Sequence, residues 1–180
     1  MEGGRHAFSF GSGLAAEDAI IRGLMRPGQR LVMGNDAYGG TYRLFARVHG
    51  DWESPTPPST CRIMSASPRS FSTATRPCCG WRRPPTLMGV TDIRALADIA
   101  HAHDALLVVD NTFATPYLQQ PLSLGADVVV HSTTKYIGGH SDVVGGAVVL
   151  GEGTPPMTWP RRSRSSSSLW VRSPGPWTPT

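Results

Sequence analysis

The chain reads as an α/β protein: a mostly parallel or mixed sheet with helices on both faces. Three observations predict this. Short runs of aliphatic and β-branched residues recur at 31–33, 105–109, 127–130 and 145–150, the length and composition of buried strands. Ahead of the first and the second of them, 17–25 and 90–103 carry apolar residues at helical spacing. Strand and helix signals therefore alternate, as a parallel sheet requires, because each crossover needs a connection about as long as a helix. The apolar run that ends at Asp110, and the one that runs into Ser132-Thr133-Thr134-Lys135, finish on polar side chains. Open α/β sheets bind ligands at such strand ends.

Residues 7–52 are coherent in pattern. Ser12-Gly13-Leu14 precedes a helix whose apolar side includes Ala16, Ala19, Ile20, Gly23 and Leu24, and Arg26-Pro27-Gly28 stops it. The first N–H groups of a helix have no internal partner, so Gly13 and Leu14 are candidate phosphate ligands. The same Ser-Gly also reads as a simple cap. The strand at 31–33 delivers Asp36-Ala37-Tyr38-Gly39-Gly40. A tyrosine beside two glycines has a bare ring face that can lie against a cofactor, but from the residues alone it reads as a surface turn residue.

Further on, 90–103 predicts a helix with Thr91 or Asp92 as its cap and Ile93, Leu96, Ala97, Ile99 and Ala100 on one face. The strand at 105–109 ends at Asp110, either a ligand-binding carboxylate or an ordinary turn former. A short helix at 121–125 precedes the strand at 127–130. That strand leads into Ser132, Thr134 and Lys135. Burial disfavours the charged form of a lysine, and a lysine held out of water there would carry a Schiff base to an aldehyde cofactor. A solvated loop lysine is the alternative. Lys135 is the only lysine in the sequence.

Composition excludes several classes. A length of 180 residues allows one substantial core, and a net charge of +4 is modest. The arginines gather in irregular segments instead of along a helix face, so nucleic-acid binding is not read from the charge. Three cysteines, two adjacent as Cys78-Cys79, suit neither a disulfide framework nor a zinc site. His131 and His140 flank a turn with no third ligand, so no metal site is predicted; His101 and His103, near a helix C-terminus, read as solvated. No apolar run spans a bilayer and no signal-peptide core is present, so the expected setting is the cytoplasm, away from membranes.

Asp110 and Lys135 lie 25 residues apart in one run, VVDNTFATPYLQQPLSLGADVVVHSTTKYIGGHSDVVGG. This run resembles the cofactor-binding core of the Cys/Met-metabolism family of pyridoxal-phosphate enzymes, in particular its cystathionine γ-synthase and γ-lyase branch. SGLAA at 12–16 resembles the family's SGMAA phosphate loop, and DAYGGT at 36–41 its ring-stacking segment. The resemblance implies an incomplete large domain of the aspartate-aminotransferase-like (type I) fold. It implies Lys135 as the Schiff-base and catalytic residue, Asp110 on the pyridinium nitrogen and Tyr38 on the ring. Gly13, Leu14, Ser132 and Thr134 would hold the phosphate. It further implies γ-replacement or γ-elimination on a homoserine ester, cysteine or cystathionine, and a homotetramer for the intact family member.

Two segments depart from the pattern. Residues 53–86 and 157–180 are rich in Pro, Ser, Thr and Arg, without a sustained period of strand or helix. A one-base-shifted reading from the third base of Pro77 through Thr86 permits Val-Leu-Trp-Val-Glu-Thr-Pro-Thr-Asn, which resembles the family's ETPTN motif. The same shift across Trp170 to Pro176 permits Leu-Gly-Ala-Val-Ala-Gly-Pro, again family-like. The expected organisation is a first part of the cofactor domain at 1–52, an out-of-frame segment at 53–86, the core at 87–156 and an out-of-frame tail at 157–180. Such segments carry no selected apolar pattern and are expected to pack poorly. Met1-Glu2-Gly3-Gly4 resembles an internal LEGG of the family, as though an upstream portion were left out. The Asn of ETPTN, the family's C-terminal domain with its carboxylate-binding arginine, and the segment lending Tyr and Arg to a neighbouring subunit are then missing. Sequencing the DNA through codons 53, 86 and 157 is expected to find family-like codons across 53–86 and 157–180 in a frame one base off the translated one; a shifted frame without them would refute this reading.

Overall fold

Strand alternation sorts the apolar side chains into two cores, one on each face of a single sheet. The structure, a computed structural model, describes residues 1–25, 30–33, 37–49, 62–65, 78–82, 91–154 and 157. In chain order its elements are β1 (His6–Phe10), α1 (Gly13–Leu24), β2 (Arg30–Met33), α2 (Gly39–Arg43) running into a π-helical turn (Leu44–His49), β3 (Arg62–Ser65) and β4 (Cys78–Arg82). Then follow α3 (Ile93–His101), β5 (Leu106–Asp110), α4 (Thr115–Leu118), a 3-10 turn (Pro121–Leu124), β6 (Val128–His131) and β7 (Gly146–Leu150). The sheet order is β1-β7-β6-β5-β4-β2-β3. β3, β2, β4, β5 and β6 pair in parallel, and β7 and β1 close the other edge antiparallel. The sheet is thus mostly parallel, as the alternation predicts.

On one face Leu31, Met33, Val108, Val128, Val130, Val148 and Leu150 meet Ala16, Ala19, Ile20 and Ile21 of α1. On the other, Val32, Leu107 and Val109 meet Ile93, Ala97 and Ala100 of α3. All four residues of β6 are buried, which is why its sequence shows no alternation of apolar and polar residues. α1 begins at Gly13, earlier than its apolar periodicity suggests, because the Ser12 side chain caps it by accepting from the Ala15 N–H at 3.1 Å. The α3 cap falls to Asp92, which accepts from the Ala95 N–H at 3.0 Å. The 3-10 turn ends on Gly125 at φ +99°, a left-handed position where a Cβ would also stand 2.9 Å from Ala97.

The structure adds β1, α2 with its π-turn, and α4, none of which shows a readable period. It also corrects the expectation of no ordered packing in 53–86 at two places. Arg62–Ser65 and Cys78–Arg82 are strands, paired in register with β2 and β5. The physical reason is that ladder bonds use backbone groups, which any non-proline sequence supplies. Residues 53–61, 66–77, 83–90 and 158–180, with the shifted motifs at 77 and 83–86 and at 170–176, lie outside the described residues. Met157 is buried and packs on Gly23 of α1.

Polar contacts tie α1 to the segment after it. Glu17 Oε1 accepts from the Thr41 hydroxyl at 2.9 Å. Asp18 accepts from Arg22 at 2.7 Å and from His49 Nε2 at 2.8 Å. Burial alone would raise the Asp18 carboxyl, but the hydrogen bonds and charges of His49 and Arg22 outweigh it and hold it below the usual carboxylate range. A lowered folded-state value makes the contribution to stability complete above about pH 4 and lost as the pH falls through the folded value. Urea midpoints are therefore expected to fall more steeply from about pH 5 to 3 in the parent chain than in Asp18→Asn. Parallel curves would show that this pair does not sense the acid range.

Candidate active site

Parallel pairing brings the C-terminal ends of β5 and β6 side by side, with Asp110 opposite Val130. Asp110 is buried. Its Oδ1 accepts from the Thr112 N–H at 3.0 Å and from the Thr112 hydroxyl. The Thr112 oxygen in turn accepts from the Ser132 N–H at 2.9 Å. One threonine thus links the acid at the end of β5 to the turn after β6. It follows Asp110 by two residues, an Asx-turn spacing that sequence reading could have used.

The N-terminus of α1 meets this turn. Ser12 takes the Ala15 N–H through its side chain and the Ala16 N–H, at 3.1 Å, through its carbonyl. The remaining first-turn donors are those of Gly13 and Leu14, the two residues that the sequence singles out. A Cβ on Gly13 would stand 2.7 Å from Ser132 Cβ, and one on Gly146 would overlap the Ser12 carbonyl. Only glycine allows this approach. Gly40 plays a similar part for Tyr38, since a Cβ there would lie 2.5 Å from the tyrosine ring and 3.4 Å from Leu14. Gly13, Leu14, Tyr38 and Ser132 are therefore neighbours along one edge.

Lys135 follows in a turn closed by its own N–H to Ser132 O at 3.2 Å and by the Gly139 N–H to Lys135 O at 2.8 Å. The Thr134 hydroxyl is engaged with Gly145, accepting from its N–H at 3.0 Å and donating to its carbonyl at 3.2 Å. Lys135 and Tyr38 take the exposed alternative of their two sequence readings. Lys135 is not held out of water but lies exposed, and Tyr38 is 51% exposed. The reason is geometric: the 132–145 segment leaves the sheet at its C-terminal edge, and Tyr136, Ile137, Val143 and Val144 around it are exposed too. The Tyr136 ring packs edge-on against Phe113, with centroids 6.1 Å apart.

His101 and His103 lie at the end of α3 as expected, and each has a polar partner. His101 is half-exposed but paired with Asp127 at 3.0 Å, and His103 Nδ1 lies 2.9 Å from the Ile99 carbonyl. His131 is buried, with Nε2 2.7 Å from a carboxylate oxygen of Glu2. Glu2, Asn111 and Thr112 went unnoticed as site neighbours. For Glu2 no local signal exists, because its partners lie more than a hundred residues away.

A phosphate ester fits this edge by its donors: two helix N–H groups, one serine hydroxyl and a surface where a Cβ would intrude. Comparisons with known proteins point the same way. Residues 1–159 match the family model described as Cys/Met metabolism PLP-dependent enzyme. Cystathionine gamma-synthase of Mycobacterium tuberculosis is 47% identical over 154 residues, covering 84% of this chain and 39% of the relative. Cystathionine beta-lyase of Lactococcus lactis subsp. cremoris is 44% identical over 148 residues, covering 82% and 39%. Among solved structures, metB from Corynebacterium glutamicum superposes with a TM-score of 0.74 at 46% identity, covering 84% of this chain and 39% of that one. Cystathionine gamma-lyase from Lactobacillus plantarum complexed with L-serine gives 0.71 at 38% identity, covering 83% and 39%. The chain thus spans 39% of the length of these relatives.

The Gly13 contact yields a direct prediction. Gly13→Ala forces a methyl group into Ser132 and is expected to cost about 1–3 kcal/mol of stability in urea unfolding. Gly11→Ala, whose Cβ would meet nothing within 4 Å, serves as the control. Equal losses in the two variants would mean that the approach of α1 to Ser132 is not tight.

Proposed function

This chain belongs to the Cys/Met metabolism family of pyridoxal-phosphate-dependent enzymes, and we propose that it carries the cofactor-binding part of an enzyme performing γ-replacement or γ-elimination on sulfur amino acids. One observation carries the reading. The only lysine of the sequence lies in a turn joined through Ser132 and Thr112 to a buried Asp110, and through Ser132 to the N-terminus of α1. Bound pyridoxal phosphate supplies an electron-accepting ring that stabilises negative charge next to the amino-acid nitrogen. Gly13 and Leu14 would offer backbone N–H groups to its phosphate, and Ser132 its hydroxyl. Thr134 would join them by giving up its bond to the Gly145 carbonyl. Asp110 would hold the protonated ring nitrogen and Tyr38 the ring face. Lys135 Nζ would be the attachment point and the base that takes the proton from the substrate Cα.

Substrates would be small amino acids: a homoserine ester, cysteine or cystathionine. The intact protein would work as a homotetramer in the cytoplasm, binding neither nucleic acid nor membrane. Among the described residues no helix is long and apolar enough to cross a membrane. A second reading, favoured by the water-exposed Lys135, is an inactive remnant whose segments 53–86 and 157–180 are out of frame.

Borohydride trapping tests both readings on the 180-residue chain. Only two kinds of amine exist, Lys135 Nζ and the N-terminus, since every other basic side chain is arginine or histidine. Reduction with micromolar pyridoxal phosphate is expected to label the Lys135 peptide substoichiometrically, because water reaches the amine, and Lys135→Arg should lose the label. Labelling confined to Met1 would overturn the assignment. No label anywhere would favour the remnant.

A further inference from the structure

Glu2 stands 109 residues from Asn111 and 129 from His131 in sequence, yet it joins them. Its side chain is 3% exposed. A single oxygen, Oε1, faces His131 Nε2 at 2.7 Å and accepts from Asn111 Nδ2 at 2.9 Å. A carboxylate only accepts, so the imidazole nitrogen is the donor. Asn111 is fully buried and its amide is otherwise spent on Gln119, donating to the backbone carbonyl at 2.9 Å and accepting from Nε2 at 3.1 Å.

The places of these residues matter more than their number. Asn111 directly follows Asp110, and His131 directly precedes Ser132. Alternation in β5 sends Val108 to the α1 face and Val109 to the α3 face, and so carries Asp110 and Asn111 to opposite sides. Besides the backbone bond from the Asn111 N–H to the Val130 carbonyl at 3.0 Å, the ends of β5 and β6 are therefore joined by two side-chain links. Thr112 links them on the side of the candidate pocket, and Glu2 links them behind it. An apolar side chain in the Glu2 site would leave the buried His131 Nε2 without its partner and take one acceptor from Asn111. What the carboxylate adds is direction, since it bonds to both strand ends at once.

We propose that Glu2 is a positioning residue of the cofactor pocket: by bridging Asn111 and His131 it holds the ends of β5 and β6 together and sets Asp110 against the 132–135 turn. This rests on the cofactor reading of the pocket, but its geometry is measurable without cofactor. Amide exchange on the 180-residue chain reads it directly. In Glu2→Ala the Asn111, Thr112 and Ser132 amides are expected to exchange about tenfold faster or more, with Ala97 and Ala100 of α3 unchanged. Glu2→Gln keeps the accepting oxygen and should stay within about threefold of the parent. Unchanged rates in Glu2→Ala, an equal rise in α3, or failure of Glu2→Gln to restore the parent rates would each overturn the proposal. Should Glu2→Ala not fold, the parent still decides: a slowly exchanging His131 Nε2 proton in nitrogen-15 spectra supports the bridge, and its absence overturns it. Titration with pyridoxal phosphate separates the two readings. A parent that takes up no cofactor defeats the proposed function, while the exchange data still rule on Glu2.

Discussion

The parallel pairing of β5 with β6 is the constraint on which the rest depends. Both strands are buried on both faces, so a slip of one residue would carry valines into the wrong core and exchange every side chain between faces. The register is thereby locked at Asp110 opposite Val130. Once it is locked, Thr112 and Ser132 meet on one side and Asn111 and His131 on the other. The polar contacts do not choose this register; they tie the strand ends once it is set. They read out a register that apolar burial has already imposed.

The approach of α1 depends on the same edge for a different reason. A helix N-terminus can offer its N–H groups to an anion only if nothing stands in front of them. Here Gly13 and Gly146 remove the side chains that would hold α1 away from Ser132 and from the start of β7. The Ser12 cap then spends Ala15 and Ala16 and leaves Gly13 and Leu14. Phosphate affinity at this place would come from backbone and hydroxyl groups.

Segment 53–86 shows how little side-chain information a strand needs to join a sheet. β4 sits between β2 and β5 and is paired on both sides, while β3 lies at the edge. Backbone groups alone account for that pairing. What an unselected sequence lacks is the alternation that would make a core specific, so strand pairing in 53–86 is no argument against an out-of-frame origin.

The division between sequence and tertiary structure follows from the range of the interactions. The sequence by itself determined the strands at 31–33, 105–109, 127–130 and 145–150, the two long helices and the mostly parallel sheet, because apolar period and capping residues act over a few positions. It also singled out Gly13, Leu14, Asp110, Ser132 and Lys135, since strand ends and helix starts are local features. It did not foresee β1 or α2, which lack a period and are held by β7 and α1. It left open whether Lys135 and Tyr38 face water, because exposure depends on what the whole fold places above them. The burial of His131 against Glu2 was decided by tertiary structure alone. A carboxylate and an imidazole at opposite ends of a chain carry no mark of each other until the sheet between them has formed.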